Sequence, residues 1–185
     1  MSKLEIAIRP HVNAILNGTI LSIDPSSGSK ESMPGYSIFK AGVFYDSGVI
    51  RLEHRQSLAG RLYDLREALQ RDFTCPDVLV VENIAPFIGG NTTRSILSLH
   101  KAVGVTVSCF DCPLMEVAPI SWRRFIPENY RKTDECDAIM MALTVLKIAS
   151  GKTEFPITDV LLAKLKSGEW AKPGPEGSTN EPKEK

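Results

Sequence analysis

The sequence is poor in cysteine, in long apolar runs and in charge of either sign to excess, and each shortage removes a class of protein. Four cysteines in 185 residues, Cys75, Cys109, Cys112 and Cys136, follow no export signal, so reduced thiols are expected rather than a disulfide framework. No apolar run approaches the ~20 residues of a membrane span. The opening Met-Ser-Lys-Leu-Glu lacks the hydrophobic stretch of a secretory signal. Both features predict a cytoplasmic protein without a membrane partner. Twenty-two basic residues balance 22 acidic ones, so any attraction for a polyanion must come from a local patch. A phosphate-cradling Gly-x-x-x-x-Gly-Lys loop is missing, which argues against a nucleotide cofactor. His11, His54 and His100 are scattered, and Cys109-x-x-Cys112 has no second pair to complete a structural zinc site.

What is present is the composition of one ordinary globular domain, 43% hydrophobic and 24% charged. At this length folding buries roughly 68–70% of the unfolded chain's surface, enough for a core without staples. Residues 1–18 place Leu4, Ile8, Val12, Ile15 and Leu16 at near-helical spacing, interrupted by Pro10, and predict a short irregular or helical N-terminal extension. Residues 19–168 are expected to form the domain. Residues 169–185, rich in proline, glycine and charge, read as a disordered tail.

Within the domain, residues 19–24 predict a strand closed by Pro25 and a Ser/Gly-rich loop. Residues 36–44 and 48–52 predict two more, with Tyr45-Asp46-Ser47-Gly48 as the turn between them. Leu58, Leu62, Leu65 and Leu69 share one face of a predicted helix over 57–72, with Ser57 as its N-cap. Residues 77–82 (Asp-Val-Leu-Val-Val-Glu) form an apolar run of strand length, as a central strand buried on both faces requires. A helix over 93–103 and a strand over 105–110 are expected next, then a short strand over 115–120. Residues 134–149, apolar nearly all round, predict a buried helix, and a last short helix is expected over 158–166. The fold class is therefore α/β, a mixed sheet flanked by helices.

Four acids stand at the ends of these elements. Asp24 closes the first strand, Glu82 closes the buried one, and Asp134 and Asp137 open the buried helix, where an i, i+3 pair shares a face. Hard divalent cations such as Mg²⁺ take oxygen ligands, and two of them can clamp the attacking and leaving oxygens of a phosphodiester. Without a cation, converging carboxylates repel one another. Plainer explanations exist singly: Asp24 before Pro25 suits a turn, and acids in a first helical turn complement the helix dipole. Glu82 has no such excuse, because it ends a run of apolar residues where open α/β sheets keep their sites.

Ile20-Leu21-Ser22-Ile23-Asp24-Pro25, followed by Gly35-Tyr36, resembles the opening strand of the RuvC-like Holliday junction resolvases. Val80-Val81-Glu82-Asn83 and Thr133-Asp134-Glu135-Cys136-Asp137-Ala138 resemble the family's second and third motifs, in the same order, so that the likeness covers about residues 19–150. The resemblance implies an RNase H-like mixed five-stranded sheet flanked by helices, a homodimer, and Mg²⁺-dependent paired nicking of four-way DNA junctions. Two ions per site are implied, with Mn²⁺ able to substitute, and Asp24, Glu82, Asp134 and Asp137 become the catalytic metal ligands. The resemblance also puts the helix over 93–103 in the dimer interface and makes Phe87, in the loop after Glu82, the candidate for an apolar wedge that unstacks bases near the junction centre; the plainer reading is a loop aromatic that closes over the edge of the core. Ser26 stands where the family usually has glycine. The stretch from Phe110 to Asp134 is shorter than in the bacterial enzymes, which points to the phage-type branch and, for a viral protein, to the host cytoplasm.

Directly before Asp134, residues 121–132 carry Arg123, Arg124, Arg131 and Lys132 against a single Glu128, interleaved with Trp122, Phe125 and Tyr130. Such a segment suits sequence-independent phosphate contact, and Arg94 and Lys101 extend the expected footprint; the plainer reading is a solvated connector whose aromatics pack on the core. Two rivals differ in substrate or class. One is another RNase H-like nuclease, acting on flaps or on RNA–DNA hybrids; in ribonuclease H proper the second carboxylate lies in the first helix, which would make it Glu67. The other is a nonenzymatic scaffold that binds DNA junctions.

Overall fold

A computed structural model describes residues 1–25, 33–53, 57–84, 94–123 and 133–154. A five-stranded mixed sheet with helices on both faces is its frame, in the order β3-β2-β1-β4-β5. The strands are β1 (Thr19–Asp24), β2 (Gly35–Lys40), β3 (Val43–Val49), β4 (Val78–Glu82) and β5 (Leu114–Val117). The first three form an antiparallel meander, and β4 and β5 continue the sheet parallel to β1. Every residue of β4 is buried, as its continuous apolar run requires.

The two faces of the sheet carry separate cores because side chains alternate along a strand. Ile20, Val78, Val80, Met115 and Val117 meet the long helix α6 (Asp134–Ser150) on one face. Leu21, Ile23, Leu79 and Val81 meet α3 (Leu58–Asp72) and α4 (Arg94–Ser108) on the other. Helix α6 is buried from Cys136 to Leu146 apart from Asp137, and it ends at Gly151 in the left-handed conformation, φ 64°, where glycine avoids the Cβ penalty. Ser57 caps α3 as expected, its hydroxyl accepting from the Gly60 amide at 3.0 Å.

Three expectations need correction. Residues 105–108 belong to α4 and not to a strand: the Val-Thr-Val run continues the helix, with Ala102 and Thr106 buried one turn apart. The hairpin turns at Ala41-Gly42 rather than at residues 45–48, which lie within β3. The last strand ends at Val117, and Pro119 opens the short helix α5 (Pro119–Arg123). The N-terminal residues form α1 (Lys3–Ile8), a 3₁₀ turn at Arg9–His11 around Pro10, and α2 (Val12–Asn17). Ile8 and Ile15 from these helices are buried in the α6 core, so this segment is part of the packed body. The helix expected over 158–166 and the tail over 169–185 lie outside the described residues.

Candidate functional site

The sheet topology puts two acids side by side. Parallel pairing of β1 with β4 matches Ile20 to Val78 and Ile23 to Val81, so Asp24 and Glu82 are the next pair along, on strands about 4.8 Å apart. Strand alternation turns both toward α6, since Ile20 and Val78, four residues earlier on each strand, lie in that core. Both residues are buried, 6% and 8% exposed. This edge is where the C-terminal ends of the parallel strands open, the usual position of sites in α/β sheets.

Helix α6 supplies the other two acids. Asp24 pairs across the ladder with Gly35, and Gly35 lies directly against the backbone of Asp134: a Cβ built on it would stand 2.1 Å from the Asp134 carbonyl carbon. Only glycine permits that approach. Thr133 caps the helix, its hydroxyl accepting from the Cys136 amide at 3.2 Å. Asp137 follows Asp134 by three residues, half-buried, with Oδ1 wholly buried. On the other side of Glu82, α5 brings up Arg123, whose guanidinium donates to Glu82 Oε1 at 3.4 Å.

Burial raises the Glu82 carboxyl above its ordinary pKa; the Arg123 charge pulls it down, and the Asp134 carboxylate pushes it up further. Glu82 therefore feels the charges of both neighbours, as a site that gathers acids must. The donors are all carboxylate oxygens, which fits a hard divalent cation. As the side chains stand, no three His, Cys, Asp or Glu among the described residues form a group that would hold a metal ion.

The remaining expected residues divide. Arg123 joins the acids, whereas Trp122, its neighbour in the basic segment, is fully buried in the α6 core; this aromatic packs instead of facing solvent. Lys101 is exposed on α4, a helix that packs with α3 and the opposite core, away from the acids. Arg94 opens α4, its side chain outside the described residues, as are Phe87, Arg124, Arg131 and Lys132 altogether. Glu67, the acid that a ribonuclease H arrangement would use, is exposed on α3, across the sheet from Asp24. None of the four cysteines forms a disulfide; burial raises the thiols of Cys109 and Cys112, the latter to about 11, unlike an activated redox pair. A cavity of about 440 Å³, lined by α1, Asn83, Ser121 and Lys147, contains none of the four acids.

Two contributors escaped the sequence reading. Ser37 on β2 donates to the carbonyl of Ala138 at 3.1 Å, and Ser47 on β3 donates to Oε1 of Glu135 at 2.7 Å. Serines inside strands carry no pattern that announces such bonds; in each strand only the partner's position, about 90 to 100 residues away, gives the hydroxyl its use.

No protein-family profile and no curated protein matches this sequence. Solved structures do. "T. thermophilus RuvC in complex with Holliday junction substrate" aligns at 14% identity over 72% of this chain and 96% of that one, with a TM-score of 0.50. "Thermus thermophilus RuvC structure" aligns at 15% identity over 80% and 89%, with a TM-score of 0.40. At such identity the likeness speaks for architecture, and with the strand order β3-β2-β1-β4-β5 and the helices on both faces it shows that this chain has the RuvC-like, RNase H-like fold.

Proposed function

We propose that this protein is a divalent-cation-dependent endonuclease that cuts branched DNA, resolving four-way junctions by paired symmetric nicks as a homodimer. The observation that carries the reading is that Asp24 and Glu82, buried at the ends of adjacent parallel strands, lie beside the N-terminus of α6, where the Asp134 backbone packs against Gly35 and the Asp134 charge acts on Glu82. The solved structure with a TM-score of 0.50 is a RuvC bound to a Holliday junction, which supports the choice of substrate.

Asp24, Glu82, Asp134 and Asp137 would hold Mg²⁺, with Mn²⁺ as a substitute; the cation supplies Lewis acidity toward a phosphodiester and a water made more acidic. Arg123 is placed to leave Glu82 for a phosphate oxygen, since its side chain is 56% exposed and the ion pair is long at 3.4 Å. With one partner open to solvent and the separation long, the pair is easily exchanged. Exposed Ile96 and Leu97 on α4 support the assignment of that helix to the contact between protomers. The resemblance, by the brevity of the stretch from Phe110 to Asp134, further suggests a phage-type member. The exposed position of Glu67 on the far face disfavours a ribonuclease H arrangement of acids.

The test is incubation with an end-labelled four-way junction, a flap, a linear duplex and an RNA–DNA hybrid, with Mg²⁺ or with EDTA. Paired nicks confined to the junction and abolished by EDTA are expected. Cutting of flaps as well would mean a broader debranching nuclease, cutting of the hybrid would favour the ribonuclease H reading, and binding without cutting would leave a scaffold.

A further inference from the structure

Glu135 stands between two of the proposed ligands and is more deeply buried than Asp24 or Glu82, with none of its surface exposed. Full burial keeps it from touching DNA or a solvent-borne cation. A carboxylate in that position needs a strong reason, because burying one without hydrogen bonds is costly. Its Oε1 accepts from Ser47 Oγ at 2.7 Å. Ser47 sits opposite Ser37 in the β2–β3 ladder, and Ser37 holds the carbonyl of Ala138 one turn further along α6. Two facing serines thus hold the first two turns of the helix at one point each, and Gly35 sets its distance from the sheet at a third.

Three constraints of this kind leave the helix one rotational setting. Side chains reach about 5 Å from a helix axis, so a turn of about 20° carries a carboxylate by about 1.7 Å. Asp134 and Asp137 would move together, away from Asp24 and Glu82. Resting on the nuclease reading above, we infer that Glu135 is a positioning residue: tethered to Ser47, it fixes the rotation of α6 so that Asp134 and Asp137 face the two strand-end acids.

The experiment measures Mn²⁺ binding by calorimetry on the full chain and its Glu135→Gln, Glu135→Ala, Ser47→Ala and Asp24→Asn variants. Amide hydrogen exchange over residues 134–138 is followed in the absence of any cation. Glutamine keeps an oxygen that accepts from Ser47, so Glu135→Gln binds within about twofold of the parent. Glu135→Ala and Ser47→Ala each bind about tenfold more weakly, the scale on which supporting contacts tune a metal site, and exchange faster at Asp137 and Ala138. Combining the two alanines costs less than the sum of the two, because both break the Ser47–Glu135 bond. Unchanged Mn²⁺ affinity in both alanine variants, with only a lower melting temperature, overturns the proposal by making the bond merely structural. A Glu135→Gln loss as complete as that of Asp24→Asn overturns it by making Glu135 a ligand. If the parent binds no Mn²⁺, the cation reading of the four acids falls and the proposal with it; the exchange data then judge the Ser47 link separately, and unaltered protection in Ser47→Ala shows that the link itself holds nothing.

Discussion

Replacing Gly35 by alanine would separate the sheet from α6 at the point where the site is assembled. A Cβ at that position lies 2.1 to 2.2 Å from the carbonyl carbon and oxygen of Asp134 and the amide nitrogen of Glu135. All three are backbone atoms, so no rotamer change relieves the clash. Ordinary contact begins near 3.4 Å, and opening from 2.2 to 3.4 Å requires a displacement of about 1.2 Å. Overpacking of this kind costs about 1–3 kcal/mol, which for a chain of this length is a fall of about 2–12 °C in melting temperature. The effect on cleavage is larger, because misplacing a catalytic group by about 1 Å can cost on the order of 100-fold, and Gly35 is the ladder partner of Asp24. Mg²⁺-dependent cleavage of a four-way junction and a thermal melt, measured on the same preparation, give both numbers. A variant that melts and cuts like the parent refutes the close approach. One that melts lower yet cuts at the parental rate refutes the coupling of this contact to the acids.

Asp24→Asn is expected to abolish cleavage while leaving junction binding in a gel-shift assay unchanged; parental turnover would remove Asp24 from the site. Glu82 holds its proton more tightly in the folded chain than in the unfolded one, because burial and Asp134 outweigh Arg123. Its stabilising contribution is therefore full below the ordinary glutamate pKa and is lost as pH rises through the raised value. In EDTA the melting temperature of the parent relative to Glu82→Gln should fall across that window, and a pH-independent difference would contradict the burial argument. Arg123→Ala should weaken junction binding evenly across sequences and lower the slope of log affinity against log salt by about one; an unchanged slope would mean that Arg123 touches no phosphate. Thr133→Ala removes the cap on the Cys136 amide and should cost about 1 kcal/mol in a urea titration, with a parental midpoint counting against the cap.

The positions of the acids at element ends were legible because the patterns of those elements are strong: a strand buried on both faces ending in Glu82, and a helix buried nearly all round beginning at Asp134. Weaker local signals misled. The Val-Thr-Val of residues 105–107 favours a strand by propensity, and Gly104 looks like a break, yet Gly104 faces open space and packing against α3 carries the helix through it, as tertiary contact overrides short-range preference. Asp46-Ser47-Gly48 has the composition of a turn, but Gly48 is small because the Tyr36 ring lies across it, 3.0 Å from where a Cβ would be. The true hairpin turn, with φ of 48° at Ala41 and 73° at Gly42, puts alanine where asparagine or glycine is usual and so gave no sign of itself. The same reasoning explains why the packing around the candidate site stayed hidden while the placement of the acids did not. An acid at an element's end is a property of a few adjacent residues, whereas Gly35 against Asp134 and Ser47 against Glu135 are pairs about 90 to 100 residues apart. Their meaning arises only once β1, β2 and β3 are in register and packed on α6, so a change at Ser47 or Gly35 is felt through the contact of sheet with helix rather than through the sequence around them.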